Sequence, residues 1–416
     1  MERCLEPSLI KGNIKAPASK SMTQRAIAAS LLTDGESIIH NPSYCDDSLA
    51  AMSIAVGLGA RVEPQVNQVK IVGSAELKET KLNCGESGLA IRMFSPIVAL
   101  YPTEITLVGA NSLKKRPMFM IGEALSQLGV KCKSTGGFLP LTIQGPIAGG
   151  KCEIDGSISS QLLTGLLMAL PLAAKDSEIK VNNLKSRPYI DMTLQLLKSF
   201  GINITNSNYS LFQIPGNQKY TPGSYTVEGD WSGGAFLLVA GAINGQLRIN
   251  GLRRDSAQSD LLVIKALEMA GANMIISDEH IDISKSKLKP FDFNATDSPD
   301  LFPPLVALAS YCEGVSTIKG VSRLVFKESN RAQTLKEEFG KMGVKIDLND
   351  DLMHITGSRP QGVKVESHED HRIAMAIAVA SLGATGKVSI RDSQCVAKSY
   401  PGFFDDLRQL GAIVHE

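Results

Sequence analysis

One short tag recurs six times along this chain: an amphipathic stretch, a glycine, a small or apolar residue, then a strand-like run. It stands at Gly59-Ala60-Arg61-Val62, Gly129-Val130-Lys131-Cys132 and Gly201-Ile202-Asn203-Ile204, and again at Gly271-Ala272-Asn273-Met274, Gly343-Val344-Lys345-Ile346 and Gly411-Ala412-Ile413-Val414. Successive glycines lie 70, 72, 70, 72 and 68 residues apart. A helix commonly closes on a left-handed residue that glycine adopts cheaply, so each tag reads as a helix end feeding a strand. A second series interleaves with the first, with small or polar residues opening an apolar helix near Ser21, Gly88, Ser160, Ser232, Asp300 and His371. Each unit of about seventy residues therefore reads as strand, helix, strand, helix, strand, strand.

The two helices of a unit differ in kind. Phe119-x-x-Gly122-x-x-Leu125-x-x-Leu128 carries one apolar stripe, whereas Leu162-Leu163-x-x-Leu166-Leu167-Met168-Ala169-Leu170 is apolar all round and should be buried on every side. Six units with one such helix each predict an α/β protein of two domains whose cores are helices rather than sheets. Propeller blades are shorter and mostly strand, and helical solenoids lack the alternating strands.

The length of 416 residues suits two to three domains. With 43% hydrophobic and 20% charged residues the chain is neither disordered nor fibrous. Its 43 basic and 42 acidic side chains nearly cancel, which disfavours nucleic-acid binding through bulk charge. The seven cysteines, at 4, 45, 84, 132, 152, 312 and 395, form no C-x-x-C pair, so neither a disulfide framework nor a zinc site is expected. The first residues, Met1-Glu2-Arg3-Cys4-Leu5-Glu6-Pro7, lack the features of a signal or transit peptide, and apolar runs such as 162–174 are too short to span a bilayer. A cytoplasmic protein is expected.

Helix N-termini expose backbone N–H groups and a partial positive charge, which suits phosphate and carboxylate ligands. Ser19-Lys20-Ser21-Met22-Thr23-Gln24-Arg25 brings two cations to the first buried helix, Gly85-Glu86-Ser87-Gly88 permits close backbone approach, and Ser159-Ser160-Gln161 offers hydroxyls and an amide. Loops before the amphipathic helices carry Lys114-Lys115-Arg116-Pro117, Ser186-Arg187-Pro188-Tyr189, Lys327-Glu328-Ser329-Asn330-Arg331 and Lys398-Ser399-Tyr400-Pro401. Asp300, Glu328 and His371 are the acid–base candidates. Any one of these segments alone is more simply a capped helix with solvated charges; recurrence at equivalent places raises them together. His368-x-x-His371 has no cluster to make it a metal pair, Gly57-Leu58-Gly59 is not a dinucleotide fingerprint, and Gly383 to Val388 is not a P-loop. Asp46-Asp47 reads as an exposed helix start, with orientation of a nearby cation as the other reading.

Longer motifs are more specific. Lys20-Ser21-x-x-x-Arg25, Asp155-Gly156-Ser157-x-Ser159-Ser160-Gln161, Pro188-Tyr189-Ile190-Asp191, Lys327-Glu328-Ser329-x-Arg331, Asp370-His371-Arg372-x-Ala374-Met375 and Cys395-Val396-Ala397-Lys398 occur in this order. In them the chain resembles the 5-enolpyruvylshikimate-3-phosphate synthase family over essentially its full length. The resemblance implies transfer of an enolpyruvyl group from phosphoenolpyruvate to the 5-hydroxyl of shikimate 3-phosphate, with no metal or organic cofactor, by a monomer. It implies two similar inverse α/β domains of three units each, residues 1–18 with 229–416 and residues 19–228, joined by a hinge crossed near 18–20 and 228–230.

By motif, the resemblance assigns shikimate 3-phosphate to Lys20, Ser21, Arg25, Ser159, Ser160, Gln161, Ser186, Tyr189, Asp300 and Lys327. It assigns phosphoenolpyruvate to Lys20, Gly88, Arg116, Gln161, Arg331, Arg372 and Lys398. Asp300 is the first choice for taking the hydroxyl proton, with Glu328 and Lys20 on the methylene and leaving-phosphate side. Two anionic substrates need a dense set of cations even at near-zero net charge, and mutual repulsion of those cations predicts an open protein before substrate binds.

Two departures stand out, Glu86 and Leu89, where the family usually writes Asn and Thr. Glu86 should repel an anionic substrate unless its side chain points away, and together the changes are expected to weaken the inhibitor glyphosate more than phosphoenolpyruvate. Asn111 also replaces a common acid. UDP-N-acetylglucosamine enolpyruvyl transferase is the nearest rival, but its family commonly carries a reactive cysteine where Asn111 stands. A non-catalytic phosphate-binding protein on the same six units is the other alternative.

Overall fold

A computed structural model describes every residue of the chain but Ala75 and Phe326. Its described residues form six four-stranded sheets. Twelve helices accompany them: α1 (Lys20–Leu31), α2 (Asp46–Gly57), α3 (Gly88–Val98), α4 (Phe119–Gln127), α5 (Gln161–Ala169), α6 (Arg187–Ser199), α7 (Trp231–Asn244), α8 (Val263–Met269), α9 (Phe302–Ala309), α10 (Arg331–Lys341), α11 (His371–Ser381) and α12 (Phe403–Gln409). The chain divides into two compact units, Met1–Ser19 with Glu228–Glu416, and Lys20–Val227.

Every sheet repeats one plan. Lys81–Asn83 runs parallel to Glu104–Val108 across α3, and Glu104–Val108 pairs antiparallel with Phe138–Gln144, which in turn pairs with Lys131–Thr135. The parallel pair demands a crossover and takes the apolar helix; the antiparallel pair closes through a short turn. Strands such as Glu104–Val108 alternate exposed and buried residues, as expected of a sheet with one wet face and one face on the core.

The core is helical. α3, α9 and α11 are buried along their whole length, and α5 and α7 nearly so. In the 20–227 unit α5 lies tightly against α3: a Cβ at Gly165 would stand 2.6 Å from the Met93 carbonyl oxygen, so no larger residue fits. The amphipathic helices end as their glycines anticipate. All six tag glycines have positive φ, from 75° at Gly271 to 111° at Gly59. The residue after each donates its N–H to the carbonyl five positions back, as in Ala60 to Ala55 and Val344 to Phe339.

Three sheets are completed from far along the chain. Glu2–Glu6 pairs with both Val388–Arg391 and Ile413–His415, Ile10–Lys15 runs parallel to Gly245–Asn250, and Ser224–Thr226 runs parallel to Glu36–His40. The segments that leave and re-enter the first unit are themselves paired: Ser19 N–H donates to the Glu228 carbonyl at 2.9 Å and Asp230 N–H to the Pro17 carbonyl at 2.7 Å.

Candidate active site

In the 20–227 unit, several of the side chains expected to act stand at the starts of the buried helices. Lys20 opens α1, and its Nζ lies 2.8 Å from Asp47 Oδ2. Asp47 is therefore buried and paired, which corrects its reading as an exposed helix start and favours the other reading, a carboxylate that holds a nearby cation: the following Ser48, Ala51 and Met52 are drawn into the core and carry it inward. Arg25 reaches α5 and α6, donating from Nε to Thr193 Oγ1 at 2.9 Å, from Nη2 to the Tyr189 carbonyl at 3.3 Å and Thr164 Oγ1 at 3.4 Å, and from Nη1 to the Ser21 carbonyl at 3.0 Å. Complete burial lowers its pKa to about 10, so it remains cationic at neutral pH.

Gln161 opens α5. Its N–H donates to Ser159 Oγ at 3.2 Å, and its Oε1 accepts from Arg92 Nη1 at 2.9 Å. Ser160 is buried beside it. Gly88 opens α3, where a Cβ would stand 2.3 Å from Arg116 Nη1 and 3.0 Å from Arg92 Nη1, so any side chain there would displace the two guanidinium groups. Ser186 precedes α6 in the left-handed region at φ 57°. Glu86 is turned onto the 3-10 turn Asn111–Lys115, accepting from Asn111 Nδ2 at 3.1 Å and from Ser112 Oγ and N–H at 2.9 and 3.3 Å. Leu89 is buried.

In the other unit the cations meet carboxylates. Arg331, the first residue of α10 and 1% exposed, places Nη1 2.7 Å from Asp300 Oδ1 and Nε 2.8 Å from Asp370 Oδ2, and Nη2 also bonds Glu328. Arg372 Nη2 lies 3.1 Å from Asp300 Oδ2 and Lys327 Nζ 3.3 Å from Asp300 Oδ1. Asp370 caps α11 by accepting the Arg372 N–H at 3.0 Å, and it also accepts from Ser329 Oγ at 3.0 Å. Lys398 ends the 3-10 turn Ser393–Lys398, and its Nζ donates to the Glu369 carbonyl at 2.7 Å. His371, the next residue after the cap, is buried.

These contacts set the charges. Burial acts to raise the Asp300 carboxyl, but Arg372, Lys327 and Arg331 outweigh it and hold the group well below the usual carboxylate range. Burial lowers Lys327 despite Asp300. Asp260, bonded by Ser232 of α7, is pushed up to about 6 by burial and by the neighbouring Asp300 charge.

The structure thus gathers Lys20, Arg25, Gly88, Arg116 and Gln161 with their supports in one unit, and Asp300, Lys327, Glu328, Arg331, Arg372 and Lys398 in the other. Arg92, Thr164, Thr193, Asp260 and Glu338 were not singled out from sequence; each lies inside a helix or loop where only tertiary packing reveals its partner. His368 bonds Glu338 Oε1 at 2.6 Å rather than joining His371. Among the described residues, Glu337, Glu338 and His368 are close enough to share an ion, but Lys341 Nζ already sits 3.3 and 2.8 Å from the two carboxylates. All seven cysteines are free, and among the described residues no helix is long and apolar enough to cross a membrane.

Comparison with known proteins identifies the family and the fold. The family model described as EPSP synthase (3-phosphoshikimate 1-carboxyvinyltransferase) matches residues 5–407. A 3-phosphoshikimate 1-carboxyvinyltransferase of Thermococcus kodakarensis is 38% identical over 96% of this chain and 98% of that protein. One from Clostridium perfringens is 37% identical over 99% of both. Among solved structures, EPSP synthase from Acinetobacter baumannii superposes with a TM-score of 0.84 at 25% identity, covering all of both chains. The enolpyruvyl transferase NikO from Streptomyces tendae shares the fold at 17% identity, with a TM-score of 0.80 over 100% of this chain and 98% of that one. The six repeated units, the ordered motifs and these matches place the chain in the EPSP synthase (3-phosphoshikimate 1-carboxyvinyltransferase) family.

Proposed function

We infer that this chain transfers the enolpyruvyl group of phosphoenolpyruvate to the 5-hydroxyl of shikimate 3-phosphate and releases phosphate, the reaction its family name describes. The observation that carries the reading to particular residues is the Asp300–Arg331–Arg372–Lys327 network, a carboxylate held by three cations within one partly buried cluster.

In this reading Lys20, Ser21, Arg25, Ser159, Ser160, Gln161, Ser186 and Tyr189 hold shikimate 3-phosphate, with Asp300 and Lys327. Buried Arg25, met by neutral oxygens, keeps charge available for an anion. Lys20, Gly88, Arg116, Gln161, Arg331, Arg372 and Lys398 hold phosphoenolpyruvate. The 5-oxygen attacks C2 of phosphoenolpyruvate while a proton is delivered to C3, giving a tetrahedral intermediate. Loss of a C3 proton and cleavage of the C2–O bond to phosphate then complete the transfer.

Asp300 takes the hydroxyl proton, and Glu328 and Lys20 serve the methylene and phosphate side. A carboxylate so strongly stabilised is a weak base. Once substrate anions engage Arg372, Arg331 and Lys327, its proton affinity rises, so the substrates themselves ready the base. The test is phosphate release from phosphoenolpyruvate with shikimate 3-phosphate, with UDP-N-acetylglucosamine as the control acceptor. Release only with shikimate 3-phosphate is expected; release only with the control, or with neither, would overturn the reading.

A further inference from the structure

Helix α10 holds the turn before α11 at two points. Arg331 at its start binds Asp370, and Glu338, seven positions on and on the same buried face, binds the other end of that turn. Glu338 is fully buried. Its Oε2 accepts the Glu366 N–H at 3.0 Å, and its Oε1 accepts from His368 Nε2 at 2.6 Å and Lys341 Nζ at 2.8 Å. Burial acts to raise this carboxyl, but the Lys341, Glu366 and His368 hydrogen bonds prevail and hold it below its ordinary value.

The gripped turn is conformationally costly. His368 and Glu369 are consecutive non-glycine residues in the left-handed region, at φ 52° and 56°. Such residues persist only where their surroundings over-determine them. The turn leads directly into the site: the Glu369 carbonyl anchors Lys398 Nζ, Asp370 holds Arg331, and Arg372 reaches Asp300.

We propose that Glu338 is a positioning residue for phosphoenolpyruvate binding: by fixing His368 in the left-handed turn it sets where Lys398, Asp370 and Arg372 stand. The role rests on the proposed enolpyruvyl transfer and goes beyond it, since Glu338 belongs to neither substrate set. Because the strain sits in the backbone at 368–369, a glycine there should replace the clamp.

The test compares the unaltered protein, Glu338→Gln, and Glu338→Gln with Glu369→Gly, which keeps the carbonyl that holds Lys398. Glu338→Gln should lower kcat/KM for phosphoenolpyruvate about tenfold or more, through KM, while binary affinity for shikimate 3-phosphate by calorimetry stays unchanged. Hydrogen exchange over 366–372 should quicken, and Glu369→Gly should recover most of the lost kcat/KM. No loss, an equal loss for both substrates, or no recovery with glycine would overturn the clamp. Should Glu338→Gln fail to fold, His368→Ala removes the imidazole end of the same bond without altering the sequence of α10 and must reproduce the rise in KM. An unaltered protein that releases no phosphate overturns the functional reading, and this role with it, whereas an active parent with an unaffected variant overturns the clamp alone.

Discussion

The two units hold their buried arginines in opposite ways, although Lys20 of one meets the Asp47 carboxylate and Lys398 of the other a backbone carbonyl. In residues 20–227, Arg25 is fully buried among hydroxyl and carbonyl oxygens, and Arg92 donates to the Gln161 amide and the Gly88 carbonyl. In the other unit Arg331 is surrounded by Asp300, Glu328 and Asp370, and Arg372 shares Asp300. Neutral oxygens satisfy a guanidinium geometrically but leave its charge uncompensated, which suits capture of an anion. Carboxylates cancel the charge and instead build a stiff network whose proton affinities shift when an anion intrudes. Within the second network the acids damp the repulsion among its own cations.

The sharpest way to break this comparison is Arg331→Met. Removing one partner of a buried network leaves uncompensated carboxylates, so a loss of about 3–5 kcal/mol is expected in urea unfolding, with phosphate release abolished. A loss no larger than that from Arg25→Met would end the distinction. Next comes Asp260→Asn. The folded protein binds this proton more tightly than the unfolded chain does, so in the parent stability declines as pH rises from about 4 to about 6, and the penalty is constant above that. The asparagine variant should lack that decline, worth on the order of 2–3 kcal/mol, as followed by thermal melts across the window. An identical pH dependence in parent and variant would refute the assignment.

Arg25→Met should cost only about 1 kcal/mol of stability, because loss of the hydrogen bonds is offset by no longer burying an uncompensated cation. It should nonetheless weaken shikimate 3-phosphate binding about tenfold or more by calorimetry, the charge-assisted bond being the stronger one. Unchanged affinity would remove Arg25 from the acceptor set. The smallest effect belongs to the scaffold shared by both units. Gly129, at φ 78° with open space around its missing Cβ, should cost about 1 kcal/mol as alanine, from backbone strain alone. Gly59→Ala should cost more, since its Cβ would meet the Glu76 carbonyl oxygen at 2.2 Å.

Much of the scaffold was legible residue by residue. Helix ends are local events, so six glycines marked six left-handed turns, and the wholly apolar Leu162–Leu170 run marked a helix with no wet face. Gly88 and Gln161 were legible as helix starts. Their partner Arg92 was not, since a cation inside an apolar helix signals nothing until α3 and α5 pack together. For Asp47 the exposed reading ranks above the cation-holding one in sequence for a related reason: an acid in a first helical turn is ordinarily solvated, and only the fold brings Lys20 onto it. Glu338 was not legible in the sequence at all, since nothing local in an amphipathic helix distinguishes it, yet it is buried against a turn thirty residues further on.

Periodicity, helix termini and the order of the ligand-type residues were determined by the sequence itself, because each depends on a few neighbouring residues and their intrinsic conformational preferences. Which strand completes which sheet, and which charge meets which, was decided by tertiary structure. Glu2–Glu6 pairing with Val388–Arg391, or Arg331 choosing Asp300 and Asp370, joins residues distant in sequence. Such contacts form only when burial of the helical cores brings those segments together and strips water from their polar groups, and the resulting partners are a property of the packed whole.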